Sequence, residues 1–139
     1  MNYLVYLDTR AGELEKILSG VKTMLLKEYD PTQSTAQTIN PGDSLYFLRS
    51  SDDCALRVKA TVVRVLLITS KEDLIHSFKA MQPRLQLTEE QYNDWSVKQR
   101  ALLVEFDSAQ KIAVIQVAPE KTLERPGWIA FEDFFQISE

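Results

Sequence analysis

The stretch that most constrains this chain is Leu18-Ser19-Gly20-Val21-Lys22-Thr23-Met24-Leu25-Leu26-Lys27. Ala11, Leu14, Ile17 and Leu18 fall on one face of a short helix, capped at its start by Asp8 or Thr9. Gly20 ends that helix, and an apolar strand, Val21 to Tyr29, begins at once with a lysine near its mouth. A polar stretch rich in Thr, Ser, Gln and Asn follows from Asp30 to Asn40 and reads as a long exposed loop. The turn Asn40-Pro41-Gly42-Asp43 then opens a second strand, Ser44-Leu45-Tyr46-Phe47-Leu48. With Asn2 to Leu7 as an initial strand, this order specifies a sheet with one early helix rather than a helical bundle.

Further along, Leu56, Val58, Ala60 and Val62 alternate with Arg57, Lys59, Thr61 and Val63, the pattern of a half-buried strand. Val65-Leu66-Leu67-Ile68 breaks the alternation, which predicts a bulge or a segment buried on both faces. Ser70 caps a helix carrying Leu74, Ile75, Phe78 and Met81, with Pro83 expected just beyond its end. Thr88-Glu89-Glu90-Gln91 is a capping box, so a second helix runs from Glu89 to about Lys98. Ala101 to Phe106 and Lys111 to Val117 are two strands around Asp107-Ser108-Ala109-Gln110, read as a hairpin turn. Arg125-Pro126-Gly127 is a turn before a last short strand that begins near Trp128. At 139 residues the chain is expected to form a single domain over 1–139, with a helical insert at about 70–99.

Composition excludes several chemistries. One cysteine (Cys54) and one histidine (His76) cannot build an internal disulfide, a thiolate cluster or a histidine-rich zinc site. Neither residue has a nucleophile's surroundings in the sequence, and no tight carboxylate cluster proposes a metal. No metal and no cofactor are expected. No apolar run approaches the roughly 18 residues of a membrane span. Met1-Asn2-Tyr3-Leu4-Val5 has no basic region ahead of its apolar residues. A cytoplasmic protein without a membrane partner is the expectation.

The net charge of -4 opposes strong non-specific binding of a polyanion. Its distribution is uneven: residues 20–71 hold seven basic side chains against five acidic, and residues 72–139 hold seven against twelve. A modest positive concavity is allowed in the first region. The acidic remainder suits a protein partner instead.

Gly20, Lys22 and the later Pro41-Gly42-Asp43 resemble the start of the ASCH domain (activating signal cointegrator homology), of the PUA-like superfamily. That family's signature reads Gly-x-Lys-x-x-Glu-x-Arg after its first helix, then Pro-Gly-Asp before the next strand. Leu25 stands where the family has glutamate, and Lys27 where it has arginine. The resemblance covers residues 10–117 in order of elements. It implies an α+β fold, a small PUA-like mixed β-barrel of five or six strands with helices covering its openings. It also implies RNA or a nucleotide as partner.

Some small ASCH proteins deacylate N4-acetylcytidine with a lysine, a threonine two residues before the motif's arginine, and a later glutamate. Lys22 matches the lysine; Leu25 occupies the threonine's place, with Thr23 two residues away. No glutamate is placed by motif, since Gln82, Pro83 and Arg84 stand where an acid would be sought. The catalytic role is thus unassigned, with Lys22 and Thr23 as candidates for a hydrolase acting on a modified nucleoside or RNA.

The leading expectation is a binding module, its cleft bordered by Gly20, Val21, Lys22 and the 30–40 loop. Lys22 could equally serve the dipole at the first helix's C-terminus. Ligand contacts are expected from Gly20, Val21, Lys22, Lys27, Asp30 and Trp128. Among the aromatic residues, Trp128 is the one that a turn brings forward for base stacking. Tyr29, Tyr46, Phe47, Trp95 and Phe131 are further candidates, although core packing accounts for most of them. Tyr92 and Trp95 share a face of the second inserted helix. Exposure of that face would favour a protein-interaction module or a homodimer; burial on the chain's own sheet would remove its local support.

Overall fold

The computed structural model describes residues 1–7, 11–28, 39–48, 55–117 and 128–131. Strand β1 (Asn2–Tyr6) precedes helix α1 (Glu13–Leu18), followed by β2 (Met24–Lys27), β3 (Ser44–Leu48) and the long β4 (Ala55–Ile68). Helices α2 (Lys71–Leu85) and α3 (Glu89–Ser96) come next, then β5 (Ala101–Gln116) and β6 (Trp128–Phe131). The strands form one sheet in the order β2-β5-β4-β3-β1-β6, with β1 and β3 parallel and the other neighbours antiparallel. The sheet curls into a half-barrel. This is the mixed, helix-covered α+β architecture that the resemblance implied.

Two apolar layers result from the strand alternation. Inside the curl, Tyr3, Val5, Leu45, Phe47, Val58, Val62, Val104 and Phe106 pack with Ile17 of α1. On the outer face, α2 and α3 cover Met24, Ala101 and Leu103 with Leu74, Phe78 and Leu85. Tyr92 and Trp95 are half-buried against that second cluster, and the Tyr92 ring meets Phe78 edge-on at 5.7 Å. Their helix face therefore packs on its own sheet. Tyr46, Phe47 and Phe131 are core residues.

Local signals placed the inserted helices correctly. The Ser70 hydroxyl accepts from the Asp73 amide, the Thr88 hydroxyl accepts from the Gln91 amide, and the Gln91 side chain accepts from the Thr88 amide. Pro83 lies inside the last turn of α2 rather than beyond it. A proline there removes the amide that would otherwise donate to the Lys79 carbonyl, so the last turn of α2 forms with one ladder hydrogen bond fewer. For α1, Gly12 occupies the N-cap position with φ 65, and Asp8 and Thr9 lie outside the described residues. Leu18 is exposed, not part of the buried face.

The hairpin expected at 107–110 is absent: β5 runs through it as one 16-residue strand paired along all of β4. Thr61 faces Asp107 and Lys59 faces Gln110, so Ser108 and Ala109 together oppose Ala60. Ser108 takes φ 57 to absorb the extra residue. Turn-forming residues here make a bulge rather than a reversal. Further register shifts lie between Leu56 and Val58 and between Val62 and Arg64, whereas Val65 to Ile68, where the broken alternation predicted a bulge or double burial, pairs in unbroken register with Val104 to Ala101. Leu66 and Leu67, expected to be buried, are exposed at 37% and 48%.

Tyr3 is 1% exposed and edge-on to Trp128 at 6.3 Å. Burial first, and the charge of Asp43 second, push its phenol from 10.0 up to about 12. The fold thus holds Tyr3 protonated where an unfolded chain would ionise it. That contribution is complete below pH 10 and lost as pH rises through about 12. Urea unfolding across pH 9 to 12 is expected to show stability falling above pH 10, with a shallower fall in Tyr3→Phe. Equal slopes in both chains would place the alkaline sensitivity elsewhere.

Candidate functional site

The helix-to-strand junction forms as its sequence dictates. Gly20 adopts φ 83, with open space where a Cβ would stand, and the amides of Val21 and Lys22 both donate to the Lys16 carbonyl. The positive φ is the reason a glycine is needed here. Val21 is left exposed at 49%, while Lys22 turns inward and is 1% exposed.

The Lys22 ammonium lies 3.2 Å from the carboxylate of Glu13, in the first turn of α1. It also donates to the Leu85 carbonyl at the end of α2. Next to it, the Thr23 amide donates to the Arg84 carbonyl at 3.0 Å, and the Lys16 ammonium donates to the Gln86 carbonyl at 3.2 Å. Three successive carbonyls at the C-terminus of α2 thereby receive donors from the α1–β2 junction. These carbonyls carry the negative end of the α2 dipole. Lys22 accordingly serves a helix C-terminus, but that of α2 and not that of α1. The junction clasps the insert to the barrel mouth and encloses an ammonium–carboxylate pair.

The expected site residues divide. Gly20, Val21, Lys22 and Thr23 are contiguous and lie at this junction. The Thr23 carbonyl accepts from the Phe106 amide, which ties the junction to β5. Lys27 closes β2, five residues on and half-buried, its ammonium 3.5 Å from the Glu28 carbonyl. Desolvation lowers its pKa, and the charge of Glu28 partly opposes that shift. Trp128 sits on β6 against Tyr3, at the opposite end of the strand order from β2. It is a packing residue of the barrel interior. Asp30, Tyr29, Cys54 and most of the 30–40 loop lie outside the described residues. His76 is exposed on α2, and no group of three metal-ligating side chains occurs among the described residues.

Glu13 is the residue that the sequence reading missed. One signal could have found it: Glu13 and Ile17 are four apart, so an acid stands on the buried face of α1. A carboxylate in that position requires a cation, and among the described residues Lys22 is the buried one.

The half-barrel superposes on crystal structures of an ASCH protein from Zymomonas mobilis. With one point variant of that protein the TM-score is 0.67 at 13% identity, covering 97% of this chain and 93% of the other. The parent protein matches at a TM-score of 0.67 and 15% identity, covering 97% and 91%. A second variant matches at 0.66 and 14%, with the same coverage as the parent. The chain folds as an ASCH-like domain. No protein-family model and no curated protein matches the sequence. Leu25 is 5% exposed and packs in the barrel interior.

Proposed function

We propose that this ASCH-like domain is a cytoplasmic RNA- or nucleotide-binding module whose ligand enters between α1 and the barrel, over Gly20, Val21 and Lys22. The observation that carries this reading is the enclosed Glu13–Lys22 pair. Taking two charges out of water costs several kcal/mol per ion, and apolar residues of similar volume commonly hold a junction as well or better. A charged pair at this junction suits recognition of a charged or strongly polar ligand, which would have to displace Glu13 or the Leu85 carbonyl to reach the enclosed Lys22 ammonium. The net charge of -4 makes such binding weak and selective.

Glu13 also favours a second reading, hydrolysis of a modified nucleoside or RNA. Thr23 as nucleophile would need a general base, and Glu13, paired with the neighbouring Lys22, is a carboxylate at this junction. A protein-interaction module has lost its local support, since Tyr92 and Trp95 pack on the chain's own sheet.

Backbone NMR during titration with nucleoside monophosphates and short single-stranded RNA tests the binding reading. Shifts are expected at Glu13 and across Gly20–Thr23. Val21→Glu, on an exposed position, is expected to keep the fold and weaken binding about tenfold. Unmoved resonances at millimolar ligand would overturn the proposal. Incubation with acylated nucleosides separates the readings: product formed by the parent chain and lost in Glu13→Gln assigns catalysis to the pair.

A further inference from the structure

Outside the Lys22 junction, one charge cluster is joined from three elements. Arg64 Nη2 on β4 and Arg84 Nη1 on α2 both reach the same oxygen, Glu105 Oε2 on β5, at 3.2 and 3.0 Å. Their side chains are 43% and 53% exposed, against 21% for Glu105. Each guanidinium has five N–H donors, and among the described residues its one hydrogen bond goes to Glu105. Two cations thus share one counter-ion and keep an excess positive charge facing water. Surface pairs of this kind contribute little to stability. Planar guanidinium forks do match a phosphate group, which presents several oxygens to them. The cluster also continues the first site: the main chain of Arg84 accepts from Thr23, adjacent to Lys22.

We propose that Arg64 and Arg84, held together by Glu105, form a phosphate subsite that seats one phosphodiester of a single-stranded RNA. The proposal rests on the RNA reading above and extends it from the Lys22 junction onto the outer wall of the barrel. Glu105 positions the two guanidiniums and competes with the incoming anion. The subsite therefore makes a prediction of opposite sign for its acid and its bases.

The test is fluorescence anisotropy with a labelled short oligouridylate at several salt concentrations, on the full chain. Arg64→Gln/Arg84→Gln is expected to weaken binding about tenfold and to lower the slope of log affinity against log salt by about 0.7, the value for one phosphate on a single strand. Glu105→Gln is expected to tighten binding about threefold. Unfolding midpoints confirm that each variant is folded. Parental affinity and slope in the double variant, or weaker binding in Glu105→Gln, would overturn the subsite while leaving the Lys22 cleft standing. Failure of the parent chain to bind RNA at all would overturn both.

Discussion

Lys22→Met is expected to destabilise the domain by about 3 kcal/mol, at the lower end of the range for breaking a buried ion pair. The loss leaves the Glu13 carboxylate enclosed without its ammonium and the Leu85 carbonyl without its donor. It falls at the lower end because the Glu13 side chain is 10% exposed and can take up water. A protein of this size should lose about 10 °C in Tm. The decisive comparison is the double variant Lys22→Met/Glu13→Leu. If the pair is costly to enclose, removing both charges restores most of the stability, because no uncompensated charge remains. Urea unfolding of the two single variants and the double gives the coupling directly. A double variant as unstable as the sum of the singles would mean that the two residues act independently. The ion pair would then carry no argument for function.

Phe78→Ala is expected to cost about 3–5 kcal/mol, the range for removing a large aromatic side chain from a core. Phe78 is 1% exposed, in the layer that α2 and α3 lay over Met24 and Leu103, and it supplies the ring that Tyr92 packs against. The effect should be uneven along the chain. Helix α3 has no fully buried residue of its own and relies on half-buried Tyr92 and Trp95. It should therefore detach before the barrel unfolds, which hydrogen exchange would register as protection lost first over 89–96. Val97→Ser, at a position 74% exposed, serves as the control and should change nothing measurable. Uniform loss of protection across α3 and the strands would show that insert and barrel are a single cooperative unit.

Legibility in the sequence followed the range of the interactions. The caps at Ser70 and Thr88 and the reversal at Gly20 involve groups at most six residues apart, and each was read in the right place. The half-buried strand at 56–63 was equally legible, because alternation encodes which face is covered. What covers a face is not encoded in that way. Leu66 and Leu67 look like core by composition, yet they stand past the bulge between Val62 and Arg64 and are exposed. Asp107 to Gln110 has the residues of a turn, but β4 offers a continuous edge, so the same residues become a bulge within a 16-residue strand.

The site divides along the same line. The local sequence placed a lysine immediately after a glycine-ended helix and made that junction the leading candidate site. Only the tertiary structure decided that Lys22 is enclosed, because its partners Glu13 and Leu85 are nine and sixty-three residues away. The junction of α1, β2 and the end of α2 brings a carboxylate, an ammonium and a helix's terminal carbonyls out of water together. Their charges then have no solvent to pair with and must pair with one another.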